Sequence, residues 1–321
     1  MKQLISIVIP AHNEATGISS FHSQLRKALP EKYRYELLFV DDGSTDKTLL
    51  ELNAIQKKDT DIRIISFSRN FGKEAATTAG IVESQGDATI IIDADGQHPV
   101  ESISKFLQKW EEGAQVVIGI RVNSQKESAI KHYGSKLFYN LFNHMSNEKI
   151  MPNSTDFRLI NNEVRDAFSR LSERSRITRA LIDWLGFKKD YITFTANTRA
   201  FGEASYSIRK LIKLATNSFV SLTNFPLFAS GYLGLIIMPL SLLIGLFIII
   251  EQYILGDPIG LKITGSASLG VFVVFLVGIM LTCQGLTALY ISRIYEEVKD
   301  RPLYIINQKA STKVSSVRNS S

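Results

Sequence analysis

Two aspartates flank a single alanine at Asp93-Ala94-Asp95, directly after an apolar run and just before Gly96-Gln97. Alternate residues of an extended segment point the same way. Both carboxylates can therefore offer hard oxygens to one Mg²⁺ or Mn²⁺, with phosphate oxygens and waters completing the octahedron. An ion held in this way neutralises the charge that builds on a leaving diphosphate. Acids at strand ends also arise from ordinary helix capping, which explains Asp46 equally well; the Asp-Ala-Asp spacing beside a glycine favours chemistry at 93 and 95. Other polar groups gather at comparable places: Pro10 to Glu14, Asp41-Asp42, Arg69-Asn70, Gln97 and Arg121. The chain has no GxxxxGK[ST] and no GxGxxG, so neither a P-loop nor a dinucleotide fingerprint is present. Its one cysteine, Cys283, excludes a disulfide framework, and its five histidines are not at metal-ligand spacing.

The elements that must carry these groups alternate. LISIVIP, YELLFV, IRIISFS, ATIIID and AQVVIGI read as buried strands. Between them, helices are expected from about Ala15 to Leu29, over KTLLELNAIQKK, from Lys73 to Ser84 and from Val100 to Trp110. Strands separated by helices predict an α/β, doubly wound, mostly parallel sheet. In such a sheet, ligands bind outside the carboxyl ends of the strands, which is where the polar groups collect.

The 321 residues are 45% hydrophobic and 21% charged, with a formal net charge of +6. This excludes disorder for most of the chain. The mild positive charge suits a membrane surface or a phosphorylated substrate as well as nucleic acid, and no nucleic-acid partner is expected. Phe225 to Ile250 and Ile263 to Ser292 carry no charged residue, and each is long enough to cross a bilayer as a helix. Arg209, Lys210 and Lys213 precede the first stretch, and Arg293, Lys299 and Arg301 follow the second. The positive-inside rule then puts both termini in the cytoplasm. The expected organisation is a cytoplasmic domain over 1–205, an interfacial amphipathic region over 206–225, a transmembrane hairpin over 226–292 and a C-terminal tail over 293–321. The last fifteen residues, polar and basic, read as a disordered tail near an anionic leaflet, or equally as a plain solvated terminus. Met1-Lys2 leads into a strand, not a signal peptide.

The ordered set IPAHNE, VDDGSTDKT, SRNFGKEAATTAGI, DADGQHP, GIR, STDFRLI and Arg199-x-x-Gly202-Glu203, followed by two apolar spans, resembles family-2 glycosyltransferases of the GT-A fold. More narrowly, it is similar to the polyprenyl-phosphate glycosyltransferases, the dolichol-phosphate mannose synthases and bactoprenol glucosyltransferases. The resemblance covers about residues 4 to 300. It implies a GT-A nucleotide-sugar-binding domain followed by interfacial helices and two transmembrane helices.

The resemblance implies that Pro10, Ala11, Asn13 and Glu14 hold the base and ribose, with Asp42 contacting uracil or ribose. Asp93 would be the donor-side acid and Asp95 the metal ligand, supported by Gln97. Arg121 would sit near the transferred sugar and the acceptor phosphate, Asp156 and Arg158 would supply the acid and base-positioning part of the late motif, and Arg199 would reach the diphosphate. A salt bridge between Asp156 and Arg158 is the plain alternative for the arginine. Lys131 and Ser135, four apart on an amphipathic helix candidate, match a basic residue and a serine that hold the lipid phosphate. Ser205 stands where relatives commonly have lysine, which puts the donor-closing role of that segment in doubt.

What the resemblance implies is a metal-dependent, inverting hexosyltransferase of the inner membrane. It would use Mg²⁺ or Mn²⁺ to move a sugar, glucose foremost, from a UDP-sugar to undecaprenyl phosphate, for glycan modification of the cell envelope. A homo-oligomer is left open. The alternatives are transfer of N-acetylglucosamine or another sugar to a lipid-linked acceptor, and a non-enzymatic membrane component of glycolipid export. A processive synthase is disfavoured because no QxxRW is present.

Overall fold

The computed structural model describes residues 2–122, 153–174, 176–195 and 265–312, together with Leu243, Phe247, Ile250, Ile254 and Leu255. Chain contacts define two units, 1–205 with 301–321, and 206–300.

The first unit is built on a seven-stranded sheet in the order β3-β2-β1-β4-β6-β5-β7. The strands are β1 (Leu4–Ala11), β2 (Arg34–Asp41), β3 (Ile62–Ser66), β4 (Ala88–Ile91), β5 (Val116–Val122), β6 (Ser154–Asn161) and β7 (Lys189–Thr195). The five strands expected from the apolar runs are all present. All strands run parallel except β6, which is antiparallel to both β4 and β5. The four intervening helices also stand where the sequence puts them: α1 (Ile18–Ala28), α2 (Thr48–Gln56), α3 (Lys73–Glu83) and α4 (Ile103–Glu111). Two further helices, α5 (Asn162–Ser169) and α6 (Thr178–Trp184), lie beyond the expected elements, as do β6 and β7.

The continuous apolar strands follow from a sheet covered on both faces. Ile5, Ile7 and Ile9 of β1 join one core with Leu37 and Phe39 of β2 and with Phe21, Leu52 and Phe106 from the helices. Val8, Leu38 and Val40 join the opposite core with Ala76 and Ala79 of α3, Phe168 of α5 and Ile182 of α6. Helix α3 crosses β1 so closely that a Cβ on Gly80 would lie 2.2 Å from Val8 Cγ1, so this position requires glycine.

The C-terminal end departs from the sequence expectation. Residues through Thr312 are ordered against β3, while 313–321 lie outside the described residues. The backbone N–H of Asn307 donates to Ser66 O at 2.8 Å, Ser68 N–H to Ile305 O at 2.9 Å and Thr312 N–H to Ile64 O at 2.9 Å. Tyr304 stacks on Phe67 with ring centroids 5.0 Å apart. The physical reason is the sheet edge: β3 is the outermost strand, and its unpaired backbone groups need partners. Polar composition argued for a free tail, but the short apolar run Leu303–Ile306 carries an edge strap.

In the second unit, α7 (Gly265–Val298) covers most of the second apolar stretch. Leu269, Met280, Leu289 and Ile294 on it are more than half exposed. Among the described residues no helix is long and apolar enough to cross a membrane. The first apolar stretch and the expected interfacial region, 206–225, lie outside the described residues except for Leu243, Phe247 and Ile250.

Candidate functional site

The carboxyl ends of β1, β2, β3, β4, β5 and β7 share one edge of the sheet, and the reversed strand β6 begins there. Its first residues thus join the loops that follow the parallel strands. Ile91 of β4 pairs with Arg158 of β6. Continuing that register brings Asp156 opposite Asp93.

Lys73, the first residue of α3, joins the two acids. Its Nζ lies 2.8 Å from Asp93 Oδ2 and 2.8 Å from Asp156 Oδ2. Partial burial works against the lysine's charge, but the two carboxylates outweigh it and raise its pKa. Burial likewise pushes Asp156 up, and Lys73 more than compensates, holding that carboxyl below its ordinary range. The Lys73 side chain stays 46% exposed, so this cluster is open to a ligand. The motif SRNFGKEAATTAGI contains Lys73, but nothing local in it marks the lysine as a partner of Asp93.

Asp95 sits one turn further out, where its Oδ1 accepts the Gln97 backbone N–H at 3.0 Å. Gly96 provides the left-handed residue of this turn, at φ 71°. His98 packs beneath, its ring stacked on Phe157 at 5.1 Å. Its Nδ1 faces the Asp93 backbone N–H at 3.4 Å. Burial lowers the His98 pKa and favours the neutral ring, which suits an accepting Nδ1. Among the described residues no group of three or more His, Cys, Asp or Glu side chains could hold a metal by itself. Asp93 and Asp95 bring two hard carboxylates to the loop that follows β4, the oxygen chemistry a divalent ion takes.

A second part of the site lies at the ends of β1 to β3. A cavity of about 560 Å³ is lined there by His12, Asp41, Thr45, Ser68, Arg69 and Asn307, among others. Small-ligand pockets have volumes of roughly 300–1,000 Å³. Pro10 and Ala11 close β1 beside Val40 and Asp41. Asn13, at φ 56°, accepts the Thr45 N–H on its Oδ1 at 2.9 Å and donates its own N–H to Ser44 Oγ at 3.0 Å. The Glu14 N–H donates to Thr48 Oγ1 at 2.8 Å, and its carbonyl starts α1. Asn13 and Glu14 thus tie the first loop to the second, and His12 is the member of that loop that lines the cavity. A Cβ on Gly43, whose φ is +58°, would lie 2.2 Å from the Arg69 carbonyl carbon, so the second loop can lie against the third only with glycine there.

Two assignments need correction. Asp42 is 3% exposed, and its carboxylate accepts the N–H groups of Phe71 at 2.7 Å and Gly72 at 2.9 Å. It holds the start of α3; Asp41, equally buried and accepting from Ser44 N–H and Ser66 Oγ, is the acid of this pair that lines the cavity. Burial raises the Asp42 pKa, with those two N–H groups and His12 opposing the shift. Arg158 is 1% exposed and pairs with Asp183 of α6 at 3.1 Å, not with Asp156. It also donates to Thr155 O at 3.0 Å and Arg179 O at 3.1 Å. It is therefore a buried group that fixes β6 against α6, although it also lines a small cavity beside Lys73 and Asp156. Resemblance to the late motif does not reveal this partner, because Asp183 lies 25 positions further along the chain.

Arg121 is exposed at the end of β5, its N–H bonded to Asn153 O at 3.0 Å. Lys131, Ser135, Arg199 and Ser205 lie outside the described residues.

A family model described as Glycosyl transferase family 2 matches residues 6–168. An uncharacterized glycosyltransferase of Synechocystis sp. is 39% identical over 304 residues, covering 94% of this chain and 94% of that protein. The SfII prophage-derived bactoprenol glucosyl transferase of Shigella flexneri is 37% identical over 305 residues, covering 95% of this chain and 97% of that protein. Among solved structures, mannosyl-3-phosphoglycerate synthase from Rubrobacter xylanophilus overlays with a TM-score of 0.48 at 16% identity, covering 67% of this chain and 71% of that one.

Proposed function

Because the chain belongs to glycosyl transferase family 2, we propose that it moves glucose, with inversion, from UDP-glucose to undecaprenyl phosphate at the cytoplasmic face of the inner membrane. The observation that carries this reading is the near-full-length similarity to proteins named bactoprenol glucosyl transferase. The Asp93–Lys73–Asp156 cluster and Asp95 at the loop edge of the sheet are consistent with it.

In this mechanism the uridine lies in the cavity at the ends of β1 to β3, and the diphosphate extends towards Asp93 and Asp95. These two acids would hold Mg²⁺ or Mn²⁺, which when bound supplies positive charge to the diphosphate. Lys73 fixes Asp93 and Asp156 in place by a hydrogen bond to each. The lipid phosphate oxygen attacks the anomeric carbon from the face opposite the diphosphate. A bond from that oxygen to the carbon forms as the carbon–oxygen bond to UDP breaks, and the electron pair leaves with UDP. A phosphate is already ionised at neutral pH, so the protein's work is to position two anions and to stabilise the leaving one. Arg121, at the end of β5, is the exposed cation assigned to the acceptor side, with Lys131 and Ser135 as further acceptor groups.

Two features support a membrane hairpin. Residues before the first apolar stretch and after the second both belong to the catalytic unit, which calls for an even number of crossings between them. The exposed apolar side chains of α7 suit lipid as their surroundings. The deciding experiment incubates the purified chain in detergent with undecaprenyl phosphate and labelled UDP-glucose. A labelled lipid phosphate sugar is expected, and release of free sugar alone, or no turnover with any UDP-sugar, would refute the reading.

A further inference from the structure

The cavity at the ends of β1 to β3 has one wall that comes from the far end of the chain. Asn307 lines it together with His12, Asp41 and Arg69. The strap that carries Asn307 is seated on both sides of this residue. Upstream, Tyr304 stacks on Phe67, itself a lining residue, and Ile306 bridges Phe67 in antiparallel fashion. Downstream, Ser311 Oγ accepts the Ser66 N–H at 2.9 Å, and Thr312 Oγ1 accepts the Ile64 N–H at 2.6 Å. The backbone of Asn307 is committed as well: its N–H donates to Ser66 O at 2.8 Å, and its carbonyl accepts from Ala310 N–H at 3.1 Å and Ser311 Oγ at 2.8 Å. The side-chain amide is what Asn307 has left to offer the cavity.

We propose that the C-terminal strap completes the nucleoside pocket and that Asn307 binds the polar edge of the base. The proposal rests on the UDP-sugar reading and adds to it a base-contacting residue that follows the apolar stretches in the chain. A carboxamide has one accepting oxygen and two donating hydrogens. It can accept from the uracil N3–H and donate to an adjacent ring carbonyl at once. A carboxylate keeps the first contact and replaces the second with repulsion, whereas the exocyclic amine of cytosine would welcome it.

The test measures binding of UDP and CDP to the full chain in detergent, by calorimetry, for wild type, Asn307→Ala and Asn307→Asp. Asn307→Ala should weaken UDP about fivefold, the scale of one neutral hydrogen bond. Its melting temperature should not change, because backbone groups and neighbouring side chains seat the strap. The near-isosteric Asn307→Asp should weaken UDP further and move the UDP-to-CDP ratio towards CDP, a change that loosening of the strap would not produce. Wild-type binding of UDP with unaltered affinity and unaltered ratio in both variants would overturn the proposal alone. Failure of wild type to bind UDP at all would overturn the donor reading, and the proposal with it.

Discussion

Asp156 stands opposite Asp93 because β6 runs against β4, with Ile91 paired to Arg158 two residues inside both acids. Two carboxylates side by side repel. Lys73 Nζ, 2.8 Å from each, offsets that repulsion and holds the Asp156 carboxyl below its ordinary range.

Replacing Lys73 with methionine should therefore impair turnover without unfolding the protein. The lysine's side chain is half exposed, and its loss leaves no cavity in the core. Charged hydrogen bonds are each worth about 1.5–3 kcal/mol. Steady-state assays should show kcat lowered about ten- to a hundredfold on that scale. Normal turnover in Lys73→Met would remove the lysine from the site.

Asp95→Asn should abolish transfer by removing a metal-binding carboxylate. Wild-type activity should vanish in EDTA and return with Mg²⁺ or Mn²⁺. Full activity in EDTA would dismiss the divalent ion altogether.

Arg158→Ala should act on stability. Breaking a buried ion pair by removing one partner costs about 3–5 kcal/mol. Lys189, 3.3 Å from Asp183 Oδ1, stays to share the remaining charge, so the lower end applies. A thermal melt should show the loss, and activity per folded molecule should survive it. An unchanged melt with activity lost would return Arg158 to the reaction.

The acid sensitivity of the fold should depend on Asp59. Burial raises its pKa, but Arg26, with Nε at 2.6 Å, and His22, at 2.7 Å, reverse the shift and hold the carboxyl below its ordinary range. A carboxylate depressed on folding stabilises the protein above its unfolded pKa of about 3.9, and that contribution is lost as pH falls through the folded value. Melting temperatures of wild type and Asp59→Asn should differ at pH 6 to 7 and converge below about pH 4. A constant gap down to pH 2 would show that the effect is packing alone.

Membrane orientation has its own measurement. A reporter fused after Ser321 should behave as cytoplasmic, and one inserted near Asp257 as external. The reverse pattern would separate the catalytic unit from a cytoplasmic UDP-sugar.

By itself the sequence determined the alternation of β1 to β5 with α1 to α4, because apolar runs are local signals. It also determined that Asp93 and Asp95 follow a strand at the ligand-binding edge, while the structure puts Asp95 in a turn beyond the end of β4. Tertiary structure decided the rest, because those contacts join residues distant in the chain. The reversal of β6, invisible to a pattern of apolar runs, brings Asp156 to Lys73 across 83 positions. The same strand buries Arg158 against Asp183, where the motif resemblance implied a part in the reaction and a salt bridge to Asp156 was the alternative. Which of two adjacent acids lines the cavity was settled by loop closure: both are buried, but Asp42 accepts the amides that open α3, and Asp41 lines the cavity. The strap shows the same limit at its greatest range. Its polar composition predicts no core of its own, but it needs none, because the open edge of β3 supplies partners for its backbone.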